Sequence, residues 1–154
     1  MIRNFSQTDI DMLLDVWLSA SIKAHDFVAS EFWDSQLKSM RDTYIPASEV
    51  YVYEKGQTVI GFYALVGDTL AAIFVAPDLQ GAGIGKSLIA HAKSIRHALS
   101  LSVYKANLAS VAFYQSQGFE ITGEGLDEAT GQAEYAMQWF PNHWLKPTPL
   151  CSAA

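Results

Sequence analysis

The sequence predicts an α/β domain with a central mixed, mostly antiparallel sheet of about six to seven strands, flanked by four helices. Two observations predict it. The spacing of apolar residues is helical in the first third, strand-like over residues 50–76, and alternates between the two afterwards. The resulting order is strand, two helices, three antiparallel strands, helix, strand, helix, two strands. That order places helices on both faces of a mixed sheet and does not give a doubly wound parallel one. The 154 residues are half hydrophobic and 17% charged, so a chain of single-domain length has enough apolar surface to bury a core.

Residues 2–5 open as a short strand. Thr8, with Asp11 three residues on, offers a capping-box start to a helix over residues 9–21, whose apolar stripe is Ile10, Leu13, Leu14, Trp17 and Leu18. Ser30 is placed to cap a second helix presenting Phe32, Trp33, Leu37 and Met40, and Pro46 closes that region. Residues 50–54 and 58–66 read as strands around a tight turn at Lys55-Gly56-Gln57. The following strand, residues 70–76, is mostly apolar and therefore central. A glycine-rich loop leads into a helix over residues 83–97 that buries Ile84, Leu88, Ile89, Ala92 and Ile95. His91 and His97 fall on its polar, solvated side. Residues 99–104 form a strand, and residues 109–117 a helix stopped by Gly118. Residues 119–123 and 133–140 close the sheet as an antiparallel pair. Residues 1–140 thus make one domain. The proline-rich tail, residues 141–154, is expected to lie over the surface or to be mobile.

Bulk properties exclude several function classes. No apolar run is long enough to span a bilayer, and the start lacks the basic and apolar regions of a signal peptide. A lone cysteine, Cys151, rules out an internal disulfide framework, which makes the cytoplasm the expected compartment. The formal net charge is −6, and no basic stripe of the kind phosphate backbones require is visible, so neither nucleic acid nor membrane is an expected partner. Acidic charge suits a cationic acceptor. Four scattered histidines and one cysteine give no metal-ligand spacing.

The chemistry concentrates in Gln80-Gly81-Ala82-Gly83-Ile84-Gly85-Lys86-Ser87. Glycines between a strand and a helix let a ligand approach the backbone, and the open N–H groups of the helix start favour an anion such as phosphate. A P-loop needs glycine where Gln80 stands. The dinucleotide fingerprint needs glycine at Lys86. What remains is Gln80-x-x-Gly83-x-Gly85 after Val75-x-Pro77. After the next strand comes Asn107-x-x-Ser110-x-x-Phe113-Tyr114-x-x-x-Gly118-Phe119.

These two segments, in that order and separated by one helix and one strand, resemble the two cofactor motifs of the GNAT N-acetyltransferases. The whole chain is compatible with that layout. Met1-Ile2-Arg3, Trp17-Leu18, His25-x-Phe27, Trp33, residues 71–77 and Phe113-Tyr114-Gln115 resemble in particular small bacterial members of the YiaC type, which are protein-lysine acetyltransferases. The resemblance implies direct transfer of acetyl from acetyl-CoA to a primary amine through a ternary complex. The acceptor can be a protein lysine, an N-terminal amine or a small molecule. A catalytically inactive CoA-binding sensor is the alternative the sequence leaves open, and a homodimer is an assembly many such proteins form.

By the same resemblance, residues 81–86 cradle the CoA pyrophosphate with Gln80, Lys86 and Ser87 beside it. Phe74 and Val75 run along the pantetheine arm, with the Val75 N–H polarising the thioester carbonyl. Asn107, Ser110 and Phe113 complete the cofactor wall, Asn107 serving also as a helix cap. Tyr114 protonates the departing thiolate. An alkyl ammonium has a pKa near 10.4 and must lose a proton before it attacks. His25, between the two N-terminal helices, is the leading candidate base, with Glu31, Glu54, Glu134 or a water chain as alternatives. Trp17, Phe27, Trp33 and Phe62 are aromatic candidates for the acceptor side or the core.

Overall fold

Strands β1 (Ile2–Asn4), β2 (Glu49–Lys55), β3 (Thr58–Val66), β4 (Thr69–Val75), β5 (Leu99–Tyr104), β6 (Glu120–Asp127) and β7 (Gln132–Trp139) form one sheet. The structure, a computed structural model, describes residues 1–141, so all but the first residue of the expected tail lies outside the described residues. The strand order is β1-β2-β3-β4-β5-β7-β6. Every neighbouring pair is antiparallel except β4 and β5, which are parallel. Helices α1 (Ile10–Ala24), α2 (Ser30–Ser35) and α3 (Leu37–Ser39) belong to one face, and α4 (Ile84–Ile95) and α5 (Leu108–Ser116) to the other. This is the mixed sheet with helices on both faces that the order of elements predicts.

Two clusters hold the layers together. On one face Leu13, Leu14 and Trp17 of α1 and Trp33 of α2 pack on Val52, Phe62 and Ala64 of the sheet. On the other, Leu88 and Ile89 of α4 pack on Tyr63, Leu101, Phe119 and Met137. Each such side chain, fully buried, contributes roughly 1.5–3 kcal/mol of hydrophobic free energy. β3 is buried from Val59 to Leu65, since it has neighbours on both edges and helices on both faces. β4 is central in strand order, as its apolarity predicts, yet less buried than β3.

Several local expectations are corrected. Helix α1 is entered not at Thr8 but through a 3₁₀ turn at Gln7–Asp9. The Ser6 N–H donates to Asp9 Oδ2 at 2.8 Å, so the capping pair is Ser6 with Asp9, because Asp9 is also the partner of Arg3. Ser30 is the first residue of α2, which follows Ala29. Its hydroxyl donates to Glu31 and caps nothing. The second expected helix is broken: α2 and α3 are short and continue as a π-helical turn, Met40–Tyr44. Helix α4 stops at Ile95, which is 36% exposed, so the buried face is Ile84, Leu88, Ile89 and Ala92. β6 extends to Asp127, well past the expected end at residue 123. His91 is half-buried rather than free on a solvated face: the Tyr63 hydroxyl and His91 Nδ1 are 2.5 Å apart, and Tyr51 lies against its ring.

The Arg3 guanidinium donates to both oxygens of buried Asp9, at 2.8 and 2.9 Å, and ties β1 to the start of α1. These bonds hold the Asp9 carboxyl below its ordinary range, against the opposing effect of burial. A carboxyl depressed on folding stabilises fully above its unfolded pKa near 3.9, and that contribution is lost as pH falls through the lower folded value. Asp9→Asn is expected to lower stability by about 2 kcal/mol at pH 7, as loss of charged hydrogen bonds does. It should also flatten the acid limb of stability below about pH 4. Urea unfolding of wild type and variant across pH checks both.

Candidate active site

β4 and β5 touch only at their beginnings. Thr69 is paired with Ser100, and the Ser100 N–H donates to the Asp68 carbonyl at 3.0 Å. Beyond that pair the two strands carry no further register, and a cleft of about 1300 Å³ opens where they part. The Ala76 N–H is used on the Ile60 carbonyl of β3 at 2.9 Å. Because strand amides alternate between edges, the Val75 N–H points the other way, into the parting.

Most of the predicted cofactor residues line this cleft: Phe74, Val75, Gln80, Gly81, Gly83, Gly85 and Lys86 on one wall. Asn107, Ser110, Phe113 and Tyr114 form the other. Gly83 stands before α4 with φ +86°, a conformation other residues resist, and no side chain caps the helix. The first amides of α4 are therefore open to the cleft, and they fit an anion such as a diphosphate. Gly85 brings the two helices close for a different reason: a Cβ there would lie 3.3 Å from Phe113 Cζ, tighter than ordinary contact. Glycine thus lets α4 and α5 close the phosphate end of the site together. Gln80 lines the cleft, but its amide donates to the Val75 carbonyl at 3.1 Å and fastens the loop to the end of β4. Asn107 accepts from the Ser110 N–H at 3.2 Å, so its oxygen is the cap of α5. Ala82, Ile84 and Ser87 do not line the cleft. Ile84 belongs to the core, and the Ser87 hydroxyl donates back to the Gly83 carbonyl at 3.1 Å.

Tyr114 packs between Phe113 and Phe119, at ring distances of 5.5 and 5.8 Å. Burial alone raises its phenol above the ordinary value, which keeps it protonated. The other half of the cleft is walled by rings. His25 lies 5.0 Å from both Trp33 and Tyr104, and 5.8 Å from Phe27. His25 Nδ1 is buried without a hydrogen-bond partner, and burial lowers the imidazole to about 4. The ring is neutral at pH 7, and among the described residues no carboxylate or carbonyl is bonded to it to steady a second proton. Phe62 is fully buried against Phe74 and forms no part of this wall.

Of the carboxylates considered from sequence, only Glu134 reaches the cleft, and it is the only acidic side chain lining it among the described residues. Glu31 is exposed and bonded to Ser30, and Glu54 is held by Arg3 at 2.5 Å. Glu134 stands opposite Tyr104 in the β5–β7 register. Burial and then the charge of Asp127 raise its carboxyl above the usual range. Sequence reasoning missed Tyr104 and Asp127. The Tyr104 hydroxyl donates to Asp127 Oδ2 at 2.5 Å, and burial followed by that bond pushes the phenol up to about 12. The available hint was an aromatic residue ending the strand that faces the glycine loop, but its partner came from a hairpin read as ending sooner.

A sheet that parts between two parallel strands, with open helix amides and Tyr114 both lining the parting, is an arrangement that fits a phosphate-bearing ligand. The comparisons agree, and the chain belongs to the GNAT family of N-acetyltransferases. Residues 46–121 match the family model described as an acetyltransferase (GNAT) domain. The chain is 31% identical over 140 residues to the peptidyl-lysine N-acetyltransferase YiaC of Escherichia coli K12, covering 90% of this chain and 96% of that one. Among solved structures it is similar to apo YjaB from Escherichia coli, with a TM-score of 0.81 and 26% identity over 90% of this chain and 96% of that one. The PaiA N-acetyltransferase of Thermoplasma acidophilum, solved with coenzyme A, shares the fold at a TM-score of 0.77 and 18% identity, over 92% of this chain and 98% of that one. No helix among the described residues is long and apolar enough to cross a membrane, and no cluster of metal-ligating side chains occurs among them.

Proposed function

We propose that the chain transfers the acetyl group of acetyl-CoA directly to the ε-amine of a peptidyl lysine, with both substrates in the cleft at once. One observation carries this reading. A single cavity is lined by Val75, by the glycine loop and first turn of α4, by Tyr114 and, among the described residues, by one carboxylate, Glu134. The name of YiaC supports the lysine acceptor, and the PaiA complex supports the donor.

In this mechanism the α4 amides and Lys86 hold the diphosphate, and the ends of β4 and α5 flank the pantetheine arm. The Val75 N–H donates to the thioester oxygen as negative charge grows there. Glu134 accepts a proton from the incoming ammonium, and the neutral amine attacks the acetyl carbon. The C–S bond then breaks, and Tyr114 donates to the leaving sulfur. Overall the ammonium gives up two protons, of which one ends on the thiol and one is released. His25, Trp33 and Tyr104 exclude water and clasp the acceptor's alkyl chain. We assign the base to Glu134 rather than His25 because Glu134 is a carboxylate lining the cleft, whereas His25 Nδ1 is buried among rings with no hydrogen-bond partner to stabilise the imidazolium that a base becomes.

Release of CoA thiol, measured across lysine peptides, N-terminal peptides, polyamines and aminoglycosides, tests the proposal. Saturable turnover is expected with lysine peptides and not with the same peptides blocked at the ε-amine. Turnover confined to another class would overturn the lysine acceptor. Tight acetyl-CoA binding with no turnover on any amine would favour the sensor alternative.

A further inference from the structure

Nine of the ten lysines and arginines, all but Lys146, are described. Five of these, Arg3, Lys38, Arg41, Arg96 and Lys105, have carboxylate partners. Lys93 lies over the Trp139 ring and donates to the Gln117 carbonyl. Of the remaining three, Lys55 sits at the β2–β3 turn, and Lys23 and Lys86 both line the cleft. In a chain of net charge −6, two of the cations left without a carboxylate therefore face one cavity. Lys86 is in the first turn of α4, next to the glycine loop. Lys23 comes from the last turn of α1, and its Nζ donates to the Pro77 carbonyl at 3.4 Å. Pro77 begins the 3₁₀ turn Pro77–Leu79 that runs directly into that loop. The neutral carbonyl leaves the charge of Lys23 uncompensated, and the long bond is easily exchanged for a charged acceptor.

We propose that Lys23 is a binding residue for the donor's diphosphate, reaching from α1 across the mouth of the cleft so that the anion is held between Lys23 and the open amides of α4. The inference rests on the acetyl-CoA reading above. It adds a contact from outside both glycine-loop and α5 motifs, and it couples donor binding to the helix that also forms the acceptor wall. Lys23 is exposed, so its removal leaves the core intact and the contribution is that of a solvated ion pair.

Calorimetric titration of wild type, Lys23→Gln and Lys23→Arg with CoA, 3′-dephospho-CoA and pantetheine tests it. Lys23→Gln is expected to weaken CoA and 3′-dephospho-CoA alike by about fivefold, within the range of exposed ion pairs. Pantetheine affinity should be unchanged, Lys23→Arg should retain binding, and the difference should shrink as salt is raised. Equal CoA affinity in wild type and Lys23→Gln would overturn the proposal. So would a loss with CoA that is absent with 3′-dephospho-CoA, which would move Lys23 to the 3′-phosphate. A matching loss with pantetheine would show that Lys23 acts only by shaping the Pro77 turn. A wild type that binds none of the three would remove the acetyl-CoA reading itself, whatever Lys23 does.

Discussion

Tyr114→Phe is expected to lower kcat by about a hundredfold or more while leaving the KM for acetyl-CoA within about twofold. The substitution removes one oxygen and keeps the ring against Phe113 and Phe119, so packing and cleft shape persist. What is lost is the donor that meets negative charge on the leaving sulfur. Because burial raises the Tyr114 phenol, it holds its proton through the whole working range, and no alkaline loss of activity below about pH 10 should trace to it. The identity of the leaving group gives an independent check. An aryl thioester departs as a weaker base and needs less protonation, so the variant's deficit should shrink with such a donor. A kcat within threefold of wild type, on both donors, would reduce Tyr114 to a packing residue.

How far the sequence revealed this site depends on whether the relevant physics is local. The glycine loop was legible because glycines between a strand and a helix mark, in consecutive residues, a backbone open to a ligand; the left-handed Gly83 and the approach of Phe113 to Gly85 were not. The order of elements along the chain was legible because turns such as Lys55-Gly56-Gln57 and the alternation in β2 and β3 are written in consecutive residues. The cleft itself was not. It arises because β4 and β5 pair only at Thr69 and Ser100, a tertiary outcome of how two sheet halves twist apart. The state of His25 was also beyond local reading. Its ordinary pKa suggests a base, but three rings from Phe27, Trp33 and Tyr104 close around it, and nothing in the local sequence shows that its Nδ1 lacks a partner. Ser6 displaced Thr8 as the helix entry for a similar reason, since Asp9 is held by Arg3 of β1.

Glu134→Gln is expected to cost about a hundredfold in kcat and to remove the acid limb of the pH–rate profile. A carboxylate base works when ionised, so wild-type rate rises with pH through the Glu134 pKa. Burial and the nearby charge of Asp127 raise that carboxyl, which places the limb above the value near 4.3 of an ordinary glutamate. The glutamine keeps the shape and the cleft-facing polarity but cannot take a proton. Asp127→Asn offers a graded version, because neutralising that charge should move the limb to lower pH without abolishing it. His25→Gln separates the two candidate bases. An imidazole lowered to about 4 is already neutral wherever the enzyme works, so this variant should lose some rate through a looser acceptor wall while its limb stays where it was. If instead the limb survives in Glu134→Gln and vanishes in His25→Gln, the proton goes to the imidazole. The cluster of rings would then have to be read as holding a base poised by an acceptor that enters with the substrate.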